Sequence, residues 1–350
     1  MSVFTIENFL IFLLIFEGCI IIIMTIFLVG IRVCEYYEKG WEQLAKQHIS
    51  LAILEQMEKI SKAPLEIILK PYAGTDILLY QVESFDRRFT GGDWEEVKST
   101  ILRHLLLPKA RRLYKKLSWI KRNFAARCFA LEPFPIDEKK ILTLNEDPVF
   151  LVRAIAASAV IKLSIEKGVF KIIEYMSRQQ GYSHYFYQDL IVNEGKAPVF
   201  DLIEQIANSN KDPAIQEACL NVLAGKSSRI DKPFLFEDLN SENESVRLGA
   251  VKVFAHNLQV ESPQVLLKSM DDKNPQIRAQ AAMGLSHFLS EETLEKLERA
   301  LSDAEWIVRL QAALSLKKMG KLGMTILNKQ TPEVSQKAYD TAQYALQFDW

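Results

Sequence analysis

The residue types best suited to acid–base, nucleophilic or metal chemistry are few and scattered. Five histidines stand at 48, 104, 184, 256 and 287, without the short spacing that brings two rings onto one metal ion. His184 has no evident metal-ligating companion in sequence. His256 and His287 are 31 residues apart, which is the period of a repeat described below, so repetition explains the spacing without a ligand. Four cysteines, Cys19, Cys34, Cys128 and Cys219, form no CxxC pair. They support neither a disulfide framework nor a zinc site, and none has a nearby base to mark it as a nucleophile. The phosphate-binding glycine loops, GxSxG and HExxH are absent. The sequence therefore predicts no catalytic residue, no cofactor and no metal, and a non-enzymatic protein.

The charged residues that do recur do so at fixed intervals. Arg122, Arg153, Gln216, Arg247, Arg278 and Arg309 are separated by 31, 63, 31, 31 and 31 residues. The 63 is two periods plus one residue, so one unit is hidden within it. Six residues before the reference stand Asp147, Asn210, Ser241, Asp272 and Asp303, types that open turns or cap helices. One before are Val152, Ile215, Val246, Ile277 and Val308. Three and four after are small or apolar residues, mostly alanine (Ala125, Ala156, Ala250, Ala281 and Ala312 at the first of these), and seven after are Phe129, Val160, Leu223, Phe254, Leu285 and Leu316. Offsets of −1, +3, +4 and +7 share one helix face. Second apolar stretches lie between, at 169–176, 198–207, 263–270 and 292–301. Each unit thus reads as two antiparallel helices that bury their faces only by stacking. A final shortened unit is expected around Ser335, with 347–350 as a polar and aromatic cap.

Composition agrees. The chain has 350 residues, 49% hydrophobic and 25% charged, with only 14 glycines and 12 prolines. That is enough apolar material for a large core and excludes low complexity and a loop-rich β chain. The net charge of −1 excludes a uniformly basic nucleic-acid binder.

Residues 9–31 carry a single charge, Glu17. A helix of that length spans a hydrocarbon core of about 30 Å. A cleaved signal peptide is the rival reading, but residues 2–8 hold no base and the apolar stretch is long. Arg32, Lys39 and Lys46 follow the span, whereas Glu7 precedes it. The positive side stays cytoplasmic, so the expected topology is single-pass in the inner (plasma) membrane, N-terminus outside. Glu17 is either a contact with a second membrane helix, beside the permissive Gly18, or a protonated side chain that the apolar surplus tolerates. Tyr36, Tyr37 and Trp41 fall where an interfacial aromatic belt belongs. The domain reading is an anchor at 1–32, a connecting helical region at 33–96, a basic helical block with the first repeat at 97–131, and an all-α solenoid over 115–350.

Between Val97 and Leu131 there are ten bases and no acid, so the rest of the chain nets −11. Lys109, Arg111, Arg112, Lys115, Lys116 and Lys121 are the candidate anionic surface. Anionic lipid, an acidic protein, nucleic acid and a merely solvated face all compete for this reading. Nucleic acid is not expected, because no binding motif accompanies the bases. The hidden unit, 177–197, packs Tyr182, His184, Tyr185, Phe186 and Tyr187 into six residues. These are either a partner-contact surface or rings filling the gap between mismatched units.

The segments DPVFLVRAIAA and DKNPQIRAQAA resemble the D-x5-R-x2-A-A core of the HEAT-like repeat family, in particular its short phycobilisome-lyase-type version common in bacteria. The resemblance covers about residues 115–350. It implies an α-solenoid, and an Asp–Arg ladder running along the stack. Asp147, Arg153, Arg247, Asp272, Arg278, Asp303 and Arg309 are then structural. The first unit has Lys116 in place of the Asp, and the third has Gln216 for Arg. The expected function is a membrane-anchored cytoplasmic adaptor that binds a protein partner on its helical surface. Single-anchor bacterial proteins with such repeats look like accessories of envelope or exopolysaccharide export assemblies. The alternatives are anionic lipid or polymer binding through 98–127 and, since bilin lyases carry similar repeats, a lyase-type enzyme.

Overall fold

The computed structural model describes residues 6–347 except 62, 179–180, 227–232 and 259, with side chains from Leu13 onward apart from Tyr182. Residues 348–350 of the expected cap lie outside this set. The described residues are helical and contain no strand. They divide into two compact units, at Glu132 and Pro133.

The first unit begins with α1 (Ile6–Met57), a single helix of 52 residues. Leu13 to Val33 are almost all exposed along it, whereas Ala45, Ile49, Ala52 and Ile53 are buried. One helix thus has an apolar half that none of the other described residues covers and a half that belongs to a core. The rest of the unit is α2 (Leu65–Ile68), α3 (Asp76–Asp86), α4 (Gly92–Ile101), α5 (Leu107–Leu113) and α6 (Trp119–Leu131). The Thr75 hydroxyl caps α3 by accepting from Leu78 N–H. One π-helical turn, Leu102–Leu106, joins α4 to α5. It precedes Pro108, which has no N–H to give to a regular helix. The core gathers Leu78, Leu79, Val82, Trp94, Ile101 and Leu106 against α1. Buried Lys98 is paired with Asp86 and Glu95. Burial alone would lower its pKa, but the two carboxylates outweigh that and raise it. α6 carries the first register of the repeat, yet it packs on α5 inside this unit.

The second unit is an α-solenoid of helix pairs: α7 (Glu138–Asn145) with α8 (Phe150–Leu163), α9 (Glu166–Arg178) with α10 (Tyr182–Glu194), α11 (Ala197–Ser209) with α12 (Pro213–Gly225), α13 (Pro233–Asp238) with α14 (Glu244–His256), α15 (Ser262–Ser269) with α16 (Pro275–Leu285), α17 (Glu291–Ala300) with α18 (Trp306–Lys318), and α19 (Lys321–Asn328) with α20 (Gln336–Gln347). The even helices stack in order, each on the next. Their first residues are 32, 31, 31, 31, 31 and 30 apart. The hidden unit is α9–α10, and the additional residue falls between α8 and α10. One register needs correction. Val334, placed on the buried face by alignment at Ser335, is 84% exposed, while Ala338, Ala342 and Ala345 are buried. The last helix therefore keeps nearly the full period, with Tyr339 rather than Ser335 at the reference position.

The repeating face is dry. Val246, Ala250, Val251 and Phe254 in α14, like Ile277, Ala281, Ala282 and Leu285 in α16, are at most 1% exposed. Small residues set the distance between even helices. A Cβ on Gly284 would lie 2.7 Å from the Ala255 Cβ and 2.9 Å from its Cα.

The polar edge of the stack is equally regular. Arg278 donates from Nη1 to the carbonyls of Asp272 (2.8 Å) and Lys273 (3.1 Å) in its own unit. The same guanidinium reaches the Asp303 carboxylate of the next unit, Nε at 2.9 Å and Nη2 at 2.8 Å. Arg247 does likewise with the Ser241 and Glu242 carbonyls and Asp272. Arg153 and Arg309 make the two carbonyl bonds of their own units, to Asp147 and Pro148 and to Asp303 and Ala304. Each aspartate also accepts the N–H two residues on: Val149, Asn274 and Glu305. Burial alone would raise the Asp272 and Asp303 carboxyls, but the guanidinium and backbone donors prevail and hold both below the usual carboxylate range.

Three outcomes are expected. Arg278→Ala lowers the stability of the α15–α18 segment by about 2–3 kcal/mol, because it removes charge-assisted bonds and strands Asp303. Arg278→Lys recovers little of it, since an ammonium cannot fill the fork. Hydrogen exchange of residues 275–318 reads the loss, and unchanged protection would show the ladder to be energetically idle. Because the two carboxyls are depressed in the folded state, their contribution is complete above the unfolded value near pH 4 and is lost as pH falls through the folded values; acid titration of the same protection checks this. Gly284→Val forces α14 and α16 apart and costs about 1–3 kcal/mol or more, measured as a lowered denaturant midpoint.

Candidate interaction surfaces

α10 starts at Gly181, whose φ of +87° is a conformation that favours glycine. The side chain of Tyr182 is outside the described residues. Tyr187 is 1% exposed. Its ring stacks on Tyr175 at 6.3 Å and meets Phe150 and Phe186 edge-on. Burial pushes its phenol upward, against the nearby Arg153. Phe186 is half-buried against Phe150. His184 is half-buried too, with Nδ1 3.0 Å from the Met176 carbonyl. Tyr185, in contrast, is 64% exposed. The cluster therefore splits: Phe186 and Tyr187 pack between helices, and Tyr185 with the edge of His184 faces outward.

The ten bases also divide. Lys98, Arg103 and Arg127 pair with Asp86 and Glu95, with Glu132, and with Glu83 and Asp76. Lys109 donates to the Gly74 carbonyl at 2.6 Å and lies over the Phe124 ring. Arg122 bonds the Lys116 and Leu117 carbonyls, and Arg112 the Pro108 carbonyl. Arg111 is half-buried. Lys115, Lys116 and Lys121 are exposed. Between them stand fully exposed Leu117, Trp119 at 46% and Ile120 at 59%. Sequence inspection missed these three; three apolar residues in four positions, inside a run of lysines, was the available signal.

A cleft of about 770 Å³, the size that takes a side-chain cluster or a small ligand, lies in the second unit. Phe236, Leu239 and Val265 form its apolar wall, and the Arg247–Asp272 pair borders it. Lys268 and Lys273 are exposed at its rim. It lies where the C-terminal ends of α13 and α15 and the turns that follow them meet. Nothing in the repeat pattern pointed to it. Asp238, at the end of α13, is buried, and its Oδ2 has no hydrogen-bond partner among the described residues. Burial, then the charge of Glu237, pushes this carboxyl up to about 6.

The remaining candidates stand apart. Glu17 is exposed on α1, and a Cβ on Gly18 would meet nothing within 4 Å. His287 lies beside Lys318, with Nε2 and Nζ 3.2 Å apart. Burial and the neighbouring Lys318 and His256 hold its pKa below the usual imidazole value. Cys128 and Cys219 are buried, and burial pushes both thiols far up, which leaves them poor nucleophiles. Among the described residues no group of three or more His, Cys, Asp or Glu side chains is placed to hold a metal ion.

Asp238 generates a pH dependence opposite to that of the ladder. Its folded value is raised, so its contribution is complete below the unfolded value and is lost as pH rises through about 6. Asp238→Asn should raise stability at pH 7 by about 1–2 kcal/mol and leave it unchanged near pH 4. Thermal midpoints at the two pH values decide; an equal effect at both would assign the change to packing.

Residues 263–336 match the HEAT-repeat family. No curated protein matches the chain. Among solved structures the chain is similar to the Escherichia coli protein YibA, at 18% identity over 73% of this chain and 98% of that one, TM-score 0.37. It is similar to Kap95p, solved with RanGDP, at 11% identity and TM-score 0.48, spanning 82% of this chain but 47% of that one. Human deoxyhypusine hydroxylase is a third, at 15% identity over 72% and 98% of the two chains, TM-score 0.28. At these identities no activity or partner passes from them to this chain. The HEAT match covers two of the solenoid's seven helix pairs and parts of their neighbours, α15 to α18 at its centre.

Proposed function

We propose that this protein is a membrane-anchored scaffold that holds a protein partner on its HEAT-like array. The observation that carries the reading is the joining of two features in one chain. One is an N-terminal helix whose apolar half, of mean hydropathy 2.7 over its best window, is wholly unburied. The other is a solenoid whose described polar edge carries structural Arg–Asp pairing, with a cleft open at its side. α1 crosses the bilayer, and the bases after Ile31 keep the folded part in the cytoplasm. A helix that continues unbroken from the apolar half into the core of the first unit suits a retained anchor better than a cleaved leader. Tethering confines the scaffold to a surface and raises its effective concentration toward anything else held there.

The partner's chemistry follows from the cleft. An apolar side chain fits against Phe236, Leu239 and Val265, and a neighbouring carboxylate meets Lys268 and Lys273, which have no acidic partner among the described residues. Tyr185 offers a second contact of the amphipathic kind that interfaces favour. A role beside an envelope or polysaccharide export assembly is the narrower form of this proposal, and the identity of the captured protein tests it.

Photo-crosslinking residues placed at Gln264 and Tyr185 of the full-length chain, in intact membranes, should each capture one defined protein. Lys268→Glu with Lys273→Glu should weaken that capture about tenfold or more, the worth of a pair of interfacial charges. Correctly folded protein that captures nothing from either position would overturn the scaffold reading.

A further inference from the structure

The exposed apolar residues at the tip of the α5–α6 hairpin have a place in this fold that the solenoid does not explain. Contacts along α1 fix that place. Lys59, just past the end of α1, pairs with Asp93 at the start of α4. Nearer the apolar half, Ser50 bonds Gln81, Lys46 lies over Tyr80, and the Tyr72 ring lies between Trp41 and His48, 6.4 and 5.7 Å from their rings. Ile77 shares a pocket with Tyr37 and Trp41. α4 therefore begins far from the apolar half of α1, and the α4–α5 run comes back toward it. Lys109 has arrived at Gly74, two residues from Tyr72 and three from Ile77. Five further residues of helix, about 7–8 Å, reach Tyr114 and the tip. The same rise along α1, counted from midway between Trp41 and His48, reaches Lys39 or Gly40. That is eight or nine residues, or about 12–13 Å, beyond Ile31, the end of the apolar stretch. A bilayer's headgroup layer is about 5–7 Å deep on each side of its core, and the remainder, about 5–7 Å, is the reach of an extended tryptophan or lysine side chain.

The tip is built for that layer. Leu117 is fully exposed, Trp119 and Ile120 are each about half exposed, and Lys115, Lys116 and Lys121 surround them in solvent. Arg122 holds the tip's shape by bonding the Lys116 and Leu117 carbonyls at 2.9 and 2.7 Å. A tryptophan with aliphatic neighbours and lysines at the rim is the composition that lies in a membrane interface, not in water. We propose that the α5–α6 tip is a second membrane contact: Leu117, Trp119 and Ile120 enter the headgroup boundary of the same bilayer that α1 crosses, and Lys115, Lys116 and Lys121 bind anionic lipid headgroups beside it. This rests on the reading of α1 as an anchor. It gives the first unit two points of attachment, so the unit cannot rotate freely about α1.

The test uses the full-length chain in vesicles of phosphatidylcholine with a minority of phosphatidylglycerol. Cys19→Ser and Cys34→Ser remove the exposed thiols, and buried Cys128 and Cys219 stay unlabelled. An environment-sensitive fluorophore is then attached at Leu117→Cys, Thr25→Cys or Ile60→Cys in turn. The expected result is a blue-shifted probe at 117, quenched by lipids carrying a nitroxide near the headgroup and shielded from aqueous iodide. The probe at 25 should respond to deep nitroxides, and that at 60 to iodide alone. Reversing Lys115, Lys116 and Lys121 to glutamate should return the 117 probe to water without moving the 25 probe. A 117 probe open to iodide while the 25 probe stays in lipid would overturn the proposal and leave the anchor standing. A 117 probe shielded from both quenchers would mean a protein contact and would also overturn it. A 25 probe open to iodide would remove the anchor, and this proposal with it.

Discussion

The solenoid depends on a guanidinium that belongs to two units at once. Arg247 and Arg278 each bind two carbonyls of the turn that joins the two helices of their own unit, and a carboxylate of the following unit. The carbonyls are ones that a helix end and its turn leave without an intrahelical donor. The carboxylate, in turn, organises the loop that opens the next even helix. One side chain therefore closes a turn and sets the register of a neighbour. Apolar stacking could be satisfied by small rotations or slips of one helix on another. A fork that must reach 2.8–3.1 Å to four oxygens on two units cannot.

Where the ladder fails, aromatic rings take its place. The position 25 residues after Arg153 is Arg178, and that after Arg309 is Val334, so neither arginine has the acid that Arg247 and Arg278 find. In both the Nε lacks a hydrogen-bond partner among the described residues, and the guanidinium lies over rings instead: Phe150 and Tyr175 for Arg153, Trp306 for Arg309. The first gap coincides with α10 and its additional residue. Tyr187 and Phe186 fill it, and a cation over a ring face recovers part of what the missing ion pair gave. The packing of Phe186 and Tyr187 is in this sense a consequence of a broken repeat, and among the described rings of 182–187 Tyr185 is left over for another molecule.

This separation explains what could be read in advance. The period of 31 and the −1, +3, +4, +7 face were visible because burial on a stacked helix is a local property that recurs with every unit. Local pattern says nothing about which neighbour a helix chooses, so α6, with Ala125, Ala126 and Phe129 in register, packs on α5 in the first unit. A charge count over a window fails for the same reason. Arg127 finds Glu83 from 44 residues away, and Arg103 finds Glu132, so the apparent excess at 98–127 shrinks largely to the tip. The final register was misplaced because Val334 and Ala338 both satisfy an apolar pattern, and only packing shows that the first faces solvent.

The two layers of the solenoid are under unequal constraint. The even helices carry the ladder arginines and the close-packed small residues, and from α8 to α20 their lengths stay between 11 and 14 residues. The odd helices, α13 aside because residues 227–232 before it are not described, range from 8 to 13. An odd helix can shorten because the register of its unit is already set by the even helix and the guanidinium beneath it. The cleft lies in this more variable layer, between the ends of α13 and α15, and the Arg247–Asp272 pair borders it. A binding surface is most easily acquired in the layer that the ladder does not need.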